Sequence, residues 1–197
     1  MLETVHNAPL ALTVVTGSTR AGRFGPTVAD WFAMQARRFG DMDVDAVDLA
    51  DHDLPEAGGD GTGEQAAEAA RLGGRLAAAD AYVFVTPEYN HSFPAPLKNA
   101  IDLYREEWRA KPVGFVSYGG MGGGLRAVEQ LRLVFAELHA PTVRDTVSFH
   151  MAWERFDEQG EPYDAEGCSM AAKGMLAQLD WWGRTLRAGR AAVPYTC

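Results

Sequence analysis

Ala81-Tyr-Val-Phe-Val85, running directly into Thr86-Pro-Glu-Tyr-Asn-His-Ser-Phe-Pro-Ala-Pro-Leu-Lys-Asn-Ala-Ile-Asp102, is the stretch that decides the fold. The apolar run is short and rich in β-branched and aromatic residues, as a buried strand is. Three prolines then predict an extended, rigid loop with no helix until after Pro96. Leu97, Ile101 and Tyr104 next recur at helical spacing. A stiff polar loop between the carboxyl end of a parallel strand and the next helix is where open α/β sheets bind ligands. This loop offers amides, a carboxamide, hydroxyls and an aromatic ring, but no pair suited to acid–base chemistry. That inventory suits a planar polar heterocycle. The plainer reading of the same residues is a proline-rich connection without a ligand.

Outward from this unit, strand and helix patterns alternate. Leu10-Ala-Leu-Thr-Val-Val-Thr16 reads as a buried strand, followed by a glycine-rich turn and a helix from about Pro26. Val28, Phe32, Ala36 and Phe39 form the apolar stripe of that helix. Residues 44–48 alternate as an outer strand does, and residues 50–63 form a polar loop suited to motion or to a partner. Residues 64–79 are an alanine-rich helix that Gly73-Gly74 should weaken. A fourth strand at 112–117 leads to a helix marked by Leu125, Val128, Leu131, Val134, Phe135 and Leu138. Residues 142–149 read as a fifth strand, and 170–186 as a closing helix. The expectation is a single doubly wound α/β domain over residues 1–197, with a five-stranded parallel sheet and helices on both faces. Right-handed crossovers then place the strand-to-helix turns along one sheet edge.

The totals exclude several classes. A chain of 197 residues can bury a proper core, and 47% hydrophobic with 23% charged residues is ordinary for a globular protein. A formal net charge of -9 opposes nucleic acid and anionic membrane as partners, since both require a positive field. No apolar run approaches the roughly 20 residues that span a bilayer. The first residues, Met1-Leu-Glu-Thr-Val-His-Asn-Ala8, carry an acid where a signal peptide carries Lys or Arg, so a cytoplasmic location is expected. Cys168 and Cys197 form no metal or disulfide pattern. His6, His52, His139 and His150 have no metal-ligand spacing and read as surface or packing residues, and no metal is expected. The five tryptophans, Trp181-Trp182 among them, read as core or interface residues.

Three connections look built for a ligand. The first, Thr16-Gly-Ser-Thr-Arg-Ala-Gly-Arg-Phe-Gly-Pro-Thr27, joins glycines, hydroxyls and guanidinium groups to a helix amino terminus. That combination suits an anion, most simply a phosphate. It is neither a Walker A loop, since Arg23-Phe24 stands where Lys and a hydroxyl are needed, nor G-x-G-x-x-G. The proline loop is the second. The third, Ser117-Tyr-Gly-Gly-Met-Gly-Gly-Gly124, removes side chains so that a flat ligand can lie against backbone. A glycine-rich turn and a flexible tether are the plain alternatives for the first and third. Together the three describe a site for a mononucleotide whose flat ring extends away from its phosphate.

In these pieces the chain resembles the NADPH-dependent FMN reductase family of flavodoxin-like proteins, which includes azo-, quinone- and chromate-reducing members. The matching segments are Gly17-Ser-Thr-Arg20, Val47-Asp-Leu-Ala-Asp-His-Asp-Leu-Pro55, Pro87-Glu-Tyr-Asn-His-Ser92, Leu97-Lys-Asn-Ala-Ile-Asp102 and the run from Lys111-Pro-Val to Gly124. The resemblance implies that Ser18 and Arg20 hold the FMN phosphate. It implies that Pro87, Glu88, Tyr89, Asn90 and Ser92 surround the isoalloxazine and ribityl chain, with Ser117, Gly119 and Gly120 at the ring's other edge. Many relatives carry Ser and then Asn where this chain has Arg23 and Gly25, which leaves Arg23, Thr27 or the Gly25 amide to take over those contacts. The segment from His150 to Gly167 resembles an insert of some relatives and has no assigned role.

The implied activity is FMN-dependent oxidoreduction, with NADPH or NADH as donor and flavins, quinones, azo compounds or metal oxyanions as acceptors. The cofactor carries the chemistry, so no catalytic side chain is expected; backbone amides of the Pro87–Asn90 turn would stabilise the reduced ring. His91 sits within the same loop and could face the substrate. A flavodoxin-like electron carrier, or an FMN-based redox sensor without pyridine-nucleotide turnover, are the alternatives. A homodimer or homotetramer is expected, with residues 50–63 and the Tyr104-Arg-Glu-Glu-Trp108 segment, read as ending in exposed aromatics, at the contact.

Overall fold

The structure, a computed structural model, describes residues 8–196; residues 1–7, His6 among them, and Cys197 lie outside that range. Five parallel strands form one sheet: β1 (Leu10–Thr16), β2 (Met42–Asp48), β3 (Ala81–Pro87), β4 (Val113–Gly119) and β5 (Thr142–His150), in the order β2-β1-β3-β4-β5. The inner strands read as the sequence suggests. Every residue of β3 is buried, whereas edge strands β2 and β5 alternate in exposure. Five α-helices connect and close the sheet: α1 (Gly25–Phe39), α2 (Gly63–Ala78), α3 (Ala95–Leu103), α4 (Leu125–Glu137) and α5 (Ala165–Ala192). The expected flavodoxin-like, doubly wound architecture is what forms.

Each face of the sheet has its own core. Helices α1 and α5 cover one face through Val28, Trp31, Phe32, Met175 and Leu179. Helices α2, α3 and α4 cover the other through Leu72, Leu76, Leu97, Ile101, Leu131 and Phe135. On this second face Tyr82, Phe84, Tyr104 and Phe135 surround Trp108, with ring centroids 4.9–6.0 Å from its own. Trp108 is 1% exposed and Tyr104 7%, and the Trp108 indole N–H donates to the Ile101 carbonyl at 3.0 Å. The expectation of exposed aromatics at Tyr104–Trp108 is therefore wrong. Both rings fill the core of their own chain.

Three boundaries also differ from the sequence reading. Helix α3 begins at Ala95, with Pro94 as its N-cap and Pro96 in its first turn, where a missing N–H costs nothing. Helix α2 runs unbroken through Gly73-Gly74 because Gly73 faces Tyr104, whose ring would lie 3.1 Å from any β-carbon there. Helix α5 extends from Ala165 to Ala192, beyond the expected 170–186: the Asp164 carboxylate caps its start by accepting from the Gly167 amide at 3.0 Å. Near its far end, Arg187 and Arg190 pair with Asp80 at 3.0 and 3.1 Å. Buried Lys111 closes the end of α2, donating to the Leu76 and Ala77 carbonyls at 3.2 and 2.8 Å. Burial, reinforced by Arg190, lowers its pKa to about 8. No helix of the described residues is long and apolar enough to cross a membrane.

Candidate functional site

The strand order reverses between β1 and β3: the chain leaves β1 outward to β2, then returns to β3 on the other side. Loops diverge at such a switch point and leave a crevice at the carboxyl ends of the strands. The three connections singled out from sequence meet here. The Gly17 amide donates to the Val85 carbonyl at 2.9 Å, the Glu88 amide to the Tyr118 carbonyl at 3.1 Å, and the Ser18 and Tyr89 hydroxyls are 2.8 Å apart. Gly17 lies against Leu97, whose side chain would come within 2.9 Å of a β-carbon, so glycine lets α3 approach β1.

In the first loop Ser18 is fully buried, whereas Arg20 is exposed and has no ion-pair partner among the described residues. Helix α1 starts at Gly25 without a side-chain cap or an acidic residue in its first turn, leaving its first amides and its positive dipole end open. Helix α3 is uncapped as well, with Pro94 and Pro96 at its start, whereas two neighbours on this edge differ. Helix α2 is closed by a Thr62–Gln65 capping box, and α4 receives the Glu88 carboxylate on the Arg126 amide at 3.3 Å. Arg23 turns to the end of β2 and pairs with Asp48 at 2.5 Å. Thr27 lies on the outer side of α1 beside the turn at Gly160.

The proline loop is a tight hairpin. Tyr89 and Ser92 exchange backbone hydrogen bonds of 2.9 and 3.0 Å, and Asn90 and His91 are both left-handed, with φ of 50° and 67°. That is the two-residue turn whose twist matches its flanking strands. Gln130 on α4 holds it, accepting from the Ser92 hydroxyl and donating to the His91 carbonyl, each at 2.7 Å. Glu88 accepts from Arg126 at 2.5 Å. Of the Pro87–Asn90 amides, Pro87 has none, and those of Glu88 and Tyr89 are bonded within the protein. Among the described residues the Asn90 amide makes no backbone hydrogen bond of this turn.

In the third loop the Ser117 and Ser148 hydroxyls both donate to the Gly123 carbonyl at 2.8 Å. Gly123 and Gly124 are left-handed, and a β-carbon on Gly124 would lie 2.5 Å from that of Ser117. Ser117 is thus a pin beneath the turn, while Gly119 and Gly120 are half-buried, with the Trp153 ring 3.7 Å from the Gly120 β-carbon position. The 150–167 segment is fastened here: the Met151 amide donates to the Gly120 carbonyl at 3.0 Å, and Phe156 inserts between Trp31, Phe149 and Phe24.

Tyr118, which sequence reasoning passed over, lies among these loops. Only 6% exposed, it directs its hydroxyl at the start of α1, where the Gly25 β-carbon position is 2.8 Å away; among the described residues the hydroxyl makes no hydrogen bond of good geometry, although the Ser18 side chain is near enough to act on it. Burial raises its pKa well above that of a free phenol, Tyr89 adds to the effect, and hydrogen bonding with Ser18 opposes it. A phenol directly after a buried strand reads as core, and no signal in the sequence separates it from one.

Beside the first loop is a cleft of about 700 Å3, lined by Thr19, by residues of the 50–63 loop and by Ala95, Pro96 and Asn99. His52 pairs with Glu68 at 2.6 Å, and burial, followed by Arg75, lowers its pKa. His139 contacts the Tyr195 hydroxyl at 2.9 Å and His150 the Met121 carbonyl at 2.8 Å. Among the described residues no three His, Cys, Asp or Glu side chains gather as metal ligands do.

Residues 10–154 match the family model described as NADPH-dependent FMN reductase. An NAD(P)H-dependent FMN reductase of Schizosaccharomyces pombe is 41% identical over 121 residues, 57% of this chain and 60% of that protein. A probable NADPH:quinone oxidoreductase of Oryza sativa subsp. japonica is 36% identical over 131 residues, 64% of each. The chain thus spans less than two thirds of either relative. Among solved structures, the flavoenzyme NAD(P)H:(acceptor) oxidoreductase FerB of Paracoccus denitrificans superposes with a TM-score of 0.69 at 22% identity, covering 89% of this chain and 98% of that one.

Proposed function

The chain belongs to the NADPH-dependent FMN reductase family, and from that membership we propose that it is an FMN-dependent oxidoreductase. It takes electrons from NADPH or NADH and delivers them to small acceptors: flavins, quinones, azo compounds or metal oxyanions. The observation that carries this reading is the meeting, at one switch point, of an uncapped helix amino terminus, an exposed Arg20 with no ion-pair partner among the described residues, and the half-buried backbone of Gly119 and Gly120. These residues fit FMN. Its phosphate is an anion in need of open amides and a cation, and its ring is a flat body in need of backbone without side chains.

Arg20 and the first amides of α1, including that of Gly25, would hold the phosphate, with the buried Ser18 hydroxyl, bonded to Tyr89, beneath it; Arg23 is held by Asp48 and Thr27 faces the Gly160 turn, so neither takes the place of the relatives' side chains. Pro87, Tyr89 and Asn90 would face the ring and ribityl chain, and Gly119 and Gly120 the opposite edge. Glu88, Ser92 and Ser117 enter as supports of the two loops, because their polar atoms are already bonded within the protein. When bound, FMN supplies the electron and hydride chemistry. The protein orients the ring, excludes water from one side of it, and directs the Asn90 amide toward developing negative charge.

On this account no side chain is a general acid or base. Replacing Glu88, Tyr89, Asn90, His91 or Ser117 singly by Ala should alter FMN retention or nucleotide affinity. The rate of flavin reduction at saturating NADPH, per bound FMN in stopped flow, should fall by less than about tenfold, short of the roughly 10²–10⁴ that general acid–base groups contribute. A loss of about 10³ or more at unchanged occupancy, with a new pH dependence, would identify one of them as catalytic, His91 first.

The reading itself is tested by loading. Apoprotein mixed with FMN and passed through gel filtration should elute yellow, with flavin bands. A protein that stays colourless at saturating FMN sinks the proposal. The carrier and sensor readings draw no comparable support, since the similar sequences are named as reductases.

A cytoplasmic homodimer or homotetramer completes the proposal, with the 50–63 loop and its cleft as the contact. Light scattering at micromolar concentration should give two or four times the 21.4 kDa chain mass. An active, FMN-loaded species of 21.4 kDa would exclude the assembly.

A further inference from the structure

Buried polar atoms without partners are rare in folded proteins, because each gives up its hydrogen bonds to water for nothing. One is at the start of α1, and another belongs to Arg23, two residues before that helix. Among the described residues neither the Tyr118 hydroxyl nor the Arg23 Nε, both buried, makes a hydrogen bond of good geometry; Ser18 is the side chain that acts on the phenol, and the Arg23 Nη2 grips Asp48 at 2.5 Å. Tyr118 is held in place by its surroundings. Its backbone is paired with Pro87 on β3 and Phe149 on β5, its carbonyl accepts from the Glu88 amide, and its ring meets the edge of Phe24 at 6.4 Å between centroids. The hydroxyl reaches its position because residue 25 is glycine: a β-carbon there would stand 2.8 Å from the hydroxyl and 3.1 Å from the Thr16 methyl. Gly25 has a negative φ and needs no conformational freedom, so close approach is what requires it.

The geometry points to Tyr118 as a phosphate-binding residue, whose hydroxyl donates to an anion seated on the α1 amino terminus and stands in for the polar side chain that Gly25 lacks. This rests on the reading of the site as an FMN cradle and names a ligand that reading does not contain. An uncapped helix terminus attracts an anion through its dipole and its open amides. A phenol aimed at it from β4 adds a donor from below, where solvent does not compete. The donor is in place before an anion arrives but closed off from solvent, so the anion must part its cover, and the apoprotein bears the cost of the unmet bond.

That cost gives the test a crossed signature. Tyr118→Phe removes one oxygen and keeps the ring packed. In the apoprotein the variant should melt higher than wild type, by about 2–6 °C, because a buried unsatisfied group is gone. Toward FMN it should bind about tenfold or more weakly, since a hydrogen bond to a charged group is lost. Riboflavin, which lacks the phosphate, should bind both proteins equally. Inorganic phosphate should raise the melting temperature of the wild-type apoprotein and raise that of the variant less.

Equal FMN affinities for the two proteins overturn the assignment, as does an equal loss for FMN and riboflavin, which would place the hydroxyl at the ring. A variant apoprotein that melts lower shows that the hydroxyl is a structural bond and also overturns it. If wild type binds neither flavin, the FMN reading falls, and the phosphate series alone decides. Protection of wild type that Tyr118→Phe diminishes supports an anion-binding Tyr118, and equal or absent protection rejects it.

Discussion

Trp108→Ala should lower the free energy of unfolding by about 3–5 kcal/mol, the usual range for deleting a buried tryptophan. The indole is 1% exposed and touches four aromatic rings contributed by β3, α4 and the end of α3. Removing it leaves a cavity that stiff rings cannot collapse to fill, and it leaves the Ile101 carbonyl without its donor. Oligomeric state should not change, since no part of the ring reaches the surface. Urea unfolding followed by far-UV circular dichroism measures the loss, and light scattering the assembly. A variant of wild-type stability that has become monomeric would return Trp108 to the subunit contact expected from sequence.

Arg20→Ala should weaken FMN binding by about ten- to a hundredfold, from the roughly 1.5–3 kcal/mol of a charge-assisted contact. The chain has a formal net charge of -9, so a dianionic phosphate meets repulsion unless a cation stands beside it. Arg23 is committed to Asp48, whereas Arg20 is exposed at the cradle with no carboxylate partner among the described residues. Riboflavin affinity should be unchanged. Titration of the apoprotein with both flavins separates the outcomes, and an equal loss for the two would move Arg20 away from the phosphate.

The order of elements was open to the sequence because each carries its own periodicity. Leu10–Thr16 is a strand with the bounds that its apolar run suggests. What the sequence hid depends on partners distant along the chain. Tyr104 and Trp108 look like surface aromatics until β3 and α4 are packed around them. The turn at Asn90-His91 carries no glycine to announce two left-handed residues, and Gln130, far along the chain, holds it. The three ligand loops were found because glycine, proline and hydroxyl residues crowd them. Their division of labour was not. Only the folded chain shows that Ser117 pins the glycine turn, that Glu88 serves α4, and that the Tyr118 phenol faces α1.

The account stands on electron transfer from a pyridine nucleotide through bound FMN, and steady-state turnover measures it directly. FMN-loaded protein mixed with NADPH or NADH and a quinone should oxidise the nucleotide continuously, at a rate proportional to bound FMN and absent from the apoprotein. A yellow protein that binds FMN tightly yet consumes neither nucleotide with any acceptor, while still exchanging electrons with a chemical reductant, would contradict it and leave a carrier or a sensor.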